Sequence, residues 1–376
     1  MTARTRVLQL LYAENPGISQ IQKEIAASLP ETEFEVVTAF LTGTAPVNQD
    51  STRKYLYFNF PKKETRGLGL KVLIHLYQFL KKEHFDVIIT HRFKPLHFIF
   101  KLNKIIKTPH CIAVIHSFSE FQRSYRRFVL RLYADSRWHF VGVSTPISNH
   151  MRNISNGIIS KQVITINNAI NCTEIIQNIL SQKQSRLELK LPENAFVFGT
   201  IGRLTRSKGQ YDLLQAFHQI HLEIPNSILL IIGGGQDEDK LRNYVDAHKL
   251  QDHVVLTGTI PDAYRYEKAF DVFILPSHAE AFGISLLEAM AAKIPIIASD
   301  VGGIPAVLGK YGKLVPPQNI DSLASAMKEY ALLDNNEYLA ISNALHDRLL
   351  KHFDTTLFHK KYKALICYPD SPFQEL

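Results

Sequence analysis

DVFILPSHAEAFGISLLEAMAAKIPIIASD, residues 271–300, is the stretch around which the 376-residue chain is read. Asp271–Pro276 has the apolar composition of a buried strand, Ser277–Ala281 is small and polar, Ile284–Ala292 repeats apolar residues at helical spacing, and Ile294–Ala298 returns to strand composition. Glu280 falls on the loop, Gly283 where the helix begins and Glu288 about one turn inside, so two carboxylates flank a helix start. Such a start has backbone N–H groups without helical partners and the positive end of the macrodipole, which suits a phosphate. With phosphate on the amides of Phe282, Gly283 and Ile284, and hydroxyls of a sugar and a ribose donating to the carboxylates, the unit reads as a nucleotide-sugar site. Two Glu around a Gly at this spacing also occur in helix openings that bind nothing.

At 376 residues the chain exceeds what one hydrophobic core serves, and two domains are expected. An apolar content of 45% with 10% aromatic residues belongs to a globular protein rather than a disordered one. Cys111, Cys172 and Cys367 are scattered without a CxxC, against a disulfide framework or zinc cage and in favour of a reducing compartment, the cytoplasm. Val7–Ala13 follows Arg4 and Arg6 but is short and contains Gln9, so it reads as a first buried strand rather than a signal peptide. No window approaches the ~18 consecutive apolar residues that a bilayer span needs.

The net charge of +8 is concentrated in one half. Residues 1–166 hold 23 Lys plus Arg against 11 Asp plus Glu, a balance of +12, and the remainder holds 20 against 24, a balance of −4. A basic half suits an anionic partner such as nucleic acid, phospholipid or a phosphorylated glycan.

In the first half, strands at Val7–Tyr12, Glu35–Phe40, Val87–Thr90 and Cys111–Ile115 alternate with helices at Ile18–Leu29, Leu68–Lys82 and Lys94–Ile106. The second half repeats the alternation with strands at Val197–Ile201, Ser227–Ile232, Val254–Leu256, Asp271–Leu275 and Pro295–Ala298. This predicts an α/β protein of doubly wound parallel sheets. The polar stretch Asn167–Pro192 is expected to contain the linker.

Ligands of such sheets bind at the carboxyl ends of strands. Val197–Ile201 runs into Gly202-Arg203-Leu204-Thr205-Arg206-Ser207-Lys208-Gly209, where Arg203 as a fork and Lys208 as a point charge can grip a diphosphate. A solvated basic loop is the plainer reading. Gly233-Gly234-Gly235 after Ser227–Ile232 permits close backbone approach to a ligand or helix. No Gly-Lys-Ser/Thr follows it and no GxGxxG follows a strand, so neither a Walker loop nor an NAD fingerprint is present. Asp237-Glu238-Asp239 reads as a helix's acidic first turn ahead of a metal site. His91 and His116 close successive strands and Ser144 follows Phe140–Val143, with His116 the functional candidate. The absence of GxSxG leaves nucleophilic hydrolysis without support.

Residues 280–288, EAFGISLLE, resemble the acidic signature of retaining family-four glycosyltransferases of the GT-B fold, a group that includes lipopolysaccharide-core and phosphoinositol mannosyl enzymes. Asn168-Ala169-Ile170-Asn171, Gly202-Arg203 with Lys208-Gly209, Gly233–Gly235, Leu275-Pro276-Ser277 and Gly302-Gly303-Ile304-Pro305 follow the family's order and spacing over nearly the whole chain. The resemblance implies two Rossmann-like domains facing across a cleft: residues 1–170 for the acceptor and 171–352 for the donor. Residues 353–376, with FDTTLFHKKYKAL at 353–365, would form a helix returning to the first domain. It also implies that Arg203 and Lys208 bind the donor diphosphate, Glu280 holds the transferred sugar, Glu288 takes the ribose hydroxyls and His116 lies near the sugar. Gly17, Gly234 and the amides of Phe282, Gly283 and Ile284 complete the implied donor contacts. Two positions depart from the pattern. Gly17 alone follows Asn15-Pro16 where the family often has a Gly pair, and Ala306 stands where it usually has Glu.

The expected reaction moves a hexose from a nucleotide diphosphate sugar, UDP-linked ahead of GDP-linked, to lipopolysaccharide core or another cell-surface glycan. Arg203, Lys208 and the helix start can stabilise the leaving diphosphate without a metal or other cofactor, and by resemblance the anomeric configuration is retained. Arg123, Arg126, Arg127, Arg131 and Arg137 lie among apolar residues from Phe128 to Trp138, and with Leu68–Lys82 they predict docking on the inner face of an anionic cytoplasmic membrane. A glycoside hydrolase or phosphorylase would use Glu280 and Glu288 as its carboxyl pair but would leave Arg203 and Lys208 idle. A nucleic-acid-binding protein would explain the basic half, although no RRM, KH or helix-turn-helix signature accompanies it.

Overall fold

The computed structural model describes residues 4–14, 16–45, 54–155, 157, 159–224 and 226–369. Asn15 and residues 370–376, both part of the expectations above, lie outside the described residues. The chain forms two compact units, Met1–Asn168 with Thr356–Leu376, and Ala169–Thr355.

In the first unit the elements run β1 (Thr5–Leu11), α1 (Pro16–Ala27), β2 (Phe34–Phe40), β3 (Lys54–Tyr57), α2 (Leu70–Glu83), β4 (Val87–His91), α3 (Phe93–Ile106), β5 (His110–Ile115), α4 (Ser124–Tyr133), β6 (Trp138–Gly142), α5 (Thr145–Ile154) and β7 (Val163–Thr165). All seven strands are parallel, in the order β3-β2-β1-β4-β5-β6-β7. Every residue of β4, β5 and β6 is buried, as a sheet covered by helices on both faces requires.

The second unit runs α6 (Cys172–Asn178), α7 (Gln182–Glu188), β8 (Phe196–Ile201), α8 (Gln210–Ile220), β9 (Ser227–Ile232), α9 (Glu238–Ala247), β10 (Val254–Gly258), β11 (Val272–Leu275), α10 (Ile284–Ala291), β12 (Ile296–Ser299), α11 (Ile304–Leu308), β13 (Lys313–Val315), α12 (Ile320–Ala331) and α13 (Asn335–His352). Its parallel sheet is ordered β10-β9-β8-β11-β12-β13. A last helix, α14 (Thr355–Cys367), returns to the first unit, where His359 pairs with Glu24 at 2.8 Å and Lys363 with Glu33 at 2.9 Å.

Two expectations change. The unit boundaries fall at Asn168 and Thr355 rather than at 170 and 352, because Ile170 pairs in parallel with Asp354 and the Cys172 amide donates to the Asp354 carboxylate at 3.3 Å, zipping both chain passages into the second unit. Asn167–Pro192 does contain the unit boundary, at Asn168/Ala169, but most of it is structured. It folds as α6 and α7, and buried Arg186 on α7 binds Asp271 at 2.7 Å and the Ala269 carbonyl at 3.1 Å.

In each sheet the strand order reverses once, at β1/β4 and at β8/β11. The crevice outside the carboxyl ends of such strands is where α/β sheets take ligands.

Candidate functional site

In the second unit the reversal lies between β8 and β11, so the loops after them, Gly202–Gly209 and Pro276–Gly283, share one end of the sheet. The first ends in a 3₁₀ turn, Arg206–Lys208, closed by Gly209 at φ 69°. A Cβ at Gly209 would stand 1.9 Å from the Pro276 carbonyl oxygen, so only glycine lets the two loops meet. The His278 amide donates to the Ser207 carbonyl at 2.9 Å and its Nε2 meets the Asp212 carboxylate on α8 at 2.7 Å, which fixes the second loop to the first.

This contact brings Lys208 Nζ to 2.5 Å from Glu280 Oε2, with Ser277 Oγ at 3.4 Å from the same oxygen. Both charged side chains are largely buried, at 24% and 13% exposure. Arg203 is exposed on the same loop, and among the described residues no side-chain partner holds its guanidinium. The backbone of Glu280 is fixed in turn, since its carbonyl accepts from the Gly303 amide at 3.1 Å. The expected roles of Arg203 and Lys208 treat them as equals, whereas Lys208 is engaged by a carboxylate and Arg203 is not.

Helix α10 opens at Gly283, φ 92°, with no side-chain cap. The N–H groups of Ile284 and Ser285 therefore lack intrahelical partners, while that of Leu286 turns back to the Gly283 carbonyl at 3.1 Å. The Phe282 side chain is buried, its ring 5.7 Å from that of Phe353, so only its amide is available at this start. Glu288 lies in the second turn, and burial pushes its carboxyl up to about 7. Behind it stands Glu267, a residue the motifs did not point to. It is fully buried, neither carboxyl oxygen has a partner among the described residues, and burial and then the Glu288 charge raise it well above the usual range.

Gly233–Gly235 serves packing between loops. A Cβ on Gly233 would fall 1.9 Å from the Gly202 carbonyl oxygen, and the Gly234 carbonyl accepts from the Leu204 amide at 3.0 Å. The acidic triplet is the start of α9, as expected, with Glu238 paired to Arg242 at 2.8 Å. Ala306 is exposed on α11, and its carbonyl accepts from Arg348 at 2.7 Å.

His116 and Gly17 belong to the first unit. Gly17 is exposed in the first turn of α1. His116 follows β5 and ends a polar relay. Gln9 Nε2 donates to the Gln22 carbonyl at 3.0 Å, which turns Gln9 Oε1 to His91 Nε2 at 3.1 Å. His91 thus carries its proton on Nε2 and accepts at Nδ1 from His116 Nε2, 3.1 Å away. Burial lowers His91 to about 3 and His116 well below the ordinary imidazole range, so both are neutral and His116 keeps Nδ1 as an acceptor. Its backbone amide donates to Glu120 at 2.7 Å. Ser144 caps α5, accepting from the Ile147 amide.

Residues 181–346 match the family model of glycosyl transferases group 1, and residues 17–174 match that of glycosyltransferase family 4. The chain is 26% identical over 328 residues to the UDP-Gal:alpha-D-GlcNAc-diphosphoundecaprenol alpha-1,3-galactosyltransferase of Escherichia coli, covering 83% of this chain and 84% of that protein. It is 27% identical over 292 residues to the O-antigen biosynthesis glycosyltransferase WclY of Escherichia coli, covering 75% and 80%. A glycosyltransferase structure from Rickettsia africae ESF-5 superposes with a TM-score of 0.84 at 19% identity, covering 98% of this chain and 100% of that one. Two glycosyltransferase models lying end to end, on two parallel sheets each with its own strand reversal, show that the chain belongs to the family-four glycosyltransferases of the GT-B fold.

Proposed function

We propose that the enzyme moves a hexose from a UDP-sugar to a cell-surface glycan acceptor, with retention at the anomeric carbon and without a metal. The observation that carries this reading is the group formed by Arg203, the Lys208–Glu280 pair and the uncapped start of α10 at one end of the second sheet. Arg203 and the amides at Gly283 take the diphosphate, Glu288 takes the ribose hydroxyls, and Glu280 takes hydroxyls of the transferred sugar. Lys208 stands between sugar and phosphate, tied to the first through Glu280 and free to donate its other protons to the second. The preference for UDP follows the UDP-galactose donor of the similar Escherichia coli galactosyltransferase.

In the transfer the bond from the anomeric carbon to the β-phosphate oxygen breaks, and its electron pair leaves with the diphosphate. The acceptor hydroxyl forms the new bond on the same face, and its proton passes to the departing phosphate oxygen. Positive groups aimed at that oxygen stabilise the charge that develops there. The acceptor reaches the first unit at an anionic membrane surface, with α4 lying on it. Phe128 and Leu132 on that helix are exposed at 65% and 54%, beside the cations Arg127 and Arg131. Arg137, Trp138 and Leu130 drop out of the expected surface, the first paired with Asp135 at 2.6 Å and the other two buried.

Incubation with a panel of UDP- and GDP-sugars and an extracted lipid-linked glycan, followed by anomeric analysis of the product, tests the reading. Release of free sugar without transfer would overturn it in favour of a hydrolase.

A further inference from the structure

At the reversal of the first sheet, outside the carboxyl ends of β1 and β4, the first unit holds a cavity of about 800 Å³, a volume typical of small-molecule sites. Among the described residues Arg66, Arg92, Lys94, Arg123 and Arg126 line it, against two acids, Glu14 and Glu120. Among the described residues none of the five cations forms an ion pair, while Arg6, Lys71, Lys104 and Arg137 of the same unit all do.

The partners the cavity cations do have are neutral. Lys94 donates to Thr65 Oγ1 at 2.9 Å and stands 4.1 Å from the centre of the Tyr12 ring. Arg126 stacks 4.6 Å from the centre of the Phe93 ring and donates to the Glu120 carbonyl at 2.9 Å. These contacts fix the position of the charge without neutralising it.

Two of the arginines occupy places that local chemistry disfavours. Arg92 and Arg123 are the cap residues of α3 and α4, neither of which has a side-chain cap, and a cation there opposes the positive end of the helix dipole. Arg92 also adopts φ 68°, ψ 166°, a region nearly confined to glycine. An anion seated between the two helix starts resolves the charge conflict. Deeper in, Glu120 is buried with Oε2 unpartnered, and burial pushes it up to about 7, leaving a carboxyl able to donate to an anion or accept from a sugar hydroxyl.

We propose that this cavity is the acceptor site and that it takes a phosphorylated acceptor, a sugar phosphate or sugar diphosphate ester, whose phosphate groups are held by Arg92, Lys94, Arg123 and Arg126 at the starts of α3 and α4. The proposal rests on the transferase reading and gives it a chemical class of acceptor.

Calorimetry on the full chain with saturating UDP tests it, using three probes: a short-chain alkyl diphosphate hexose, a hexose 1-phosphate, and the neutral alkyl hexoside of the same chain length. The diphosphate probe should bind at least about tenfold tighter than the neutral one. Arg92→Gly and, separately, Arg123→Ala should remove that advantage and leave UDP binding unchanged. Arg92→Gly should also melt at or above the wild-type temperature, since glycine accepts the backbone conformation freely. Tighter binding of the alkyl diphosphate than of hexose 1-phosphate supports a lipid-borne phosphate, and equal binding supports a soluble sugar phosphate. Equal affinity of the wild type for charged and neutral probes, or an undiminished preference in both variants, overturns the proposal. Failure of the wild type to bind UDP counts against the transferase reading instead, and the charged-over-neutral comparison is then read without UDP.

Discussion

Lys208 Nζ lies 2.5 Å from Glu280 Oε2, joining the two strand-end loops of the second unit by one ion pair at 24% and 13% exposure. The pair presets the carboxylate's orientation before any sugar arrives and spares the lysine a separate ordering step when a diphosphate binds. Its removal acts twice, by losing a cation at the leaving group and by leaving the largely buried Glu280 carboxylate without its cation.

Lys208→Ala should therefore lower the turnover number by roughly ten- to a thousandfold, with a smaller change in the affinity for free UDP. Glu280→Gln should impair turnover while sparing UDP binding, because its hydroxyl partners belong to the sugar. Steady-state kinetics beside UDP calorimetry check the pair, and near-normal turnover in Lys208→Ala would remove it from the reaction.

Glu288 gives a pH signature. Its carboxyl is held up at about 7 by burial, and only the carboxylate accepts from both ribose hydroxyls. UDP affinity should accordingly weaken as pH falls through about 7, and Glu288→Gln should bind more weakly and without that dependence. Titrations between pH 5.5 and about 8.5, spanning that value by more than one unit on each side, decide. A pH slope that survives in the variant assigns it to another group.

Glu267 bears on stability rather than binding. Its folded-state value is raised, first by burial and then by the Glu288 charge, so the stability held by its neutral form is complete below the ordinary carboxyl range and is lost as pH rises toward the raised value. Glu267→Met fills similar space without a proton to lose. The variant should gain on the wild type in melting temperature as pH rises from about 5 to about 8, by roughly 2–4 °C for each kcal/mol. A constant offset across that range would rule out titration of this residue.

On anionic vesicles each cation near the surface contributes about 1 kcal/mol. Arg127→Glu with Arg131→Glu should thus abolish flotation with anionic liposomes and leave UDP-sugar turnover on a soluble acceptor intact. Equal flotation of the wild type on neutral vesicles would show that Phe128 and Leu132 act alone.

The sheets were legible because buried parallel strands read as unbroken apolar runs, as in Cys111–Ile115 and Ser227–Ile232. Edge strands β3, β7 and β13, of three or four residues and half exposed, leave no such trace. The helices α6 and α7 were hidden in a polar stretch because the second is anchored by an arginine, Arg186, rather than by an apolar stripe. In the candidate site the motifs named Arg203, Lys208, Glu280 and Glu288, but no spacing rule joins Lys208 to a carboxylate 72 residues away or brings Arg66 to the same cavity as Arg126. Glu267 carries no local signal, since its meaning comes entirely from what packs around it.

The return of α14 sets the timetable of synthesis. The residues that complete the first unit, with Phe358, Tyr362 and Leu365 buried on that helix, leave the ribosome only after all of Ala169–Thr355. At about 5–20 residues per second the growing sheet of the first unit waits on the order of ten seconds or more for its last helix, with Glu24 and Glu33 unpaired meanwhile. A nascent chain stalled before Thr355 should therefore be protease-sensitive along α1 and a chaperone client there, and release of the final helix should end both at once.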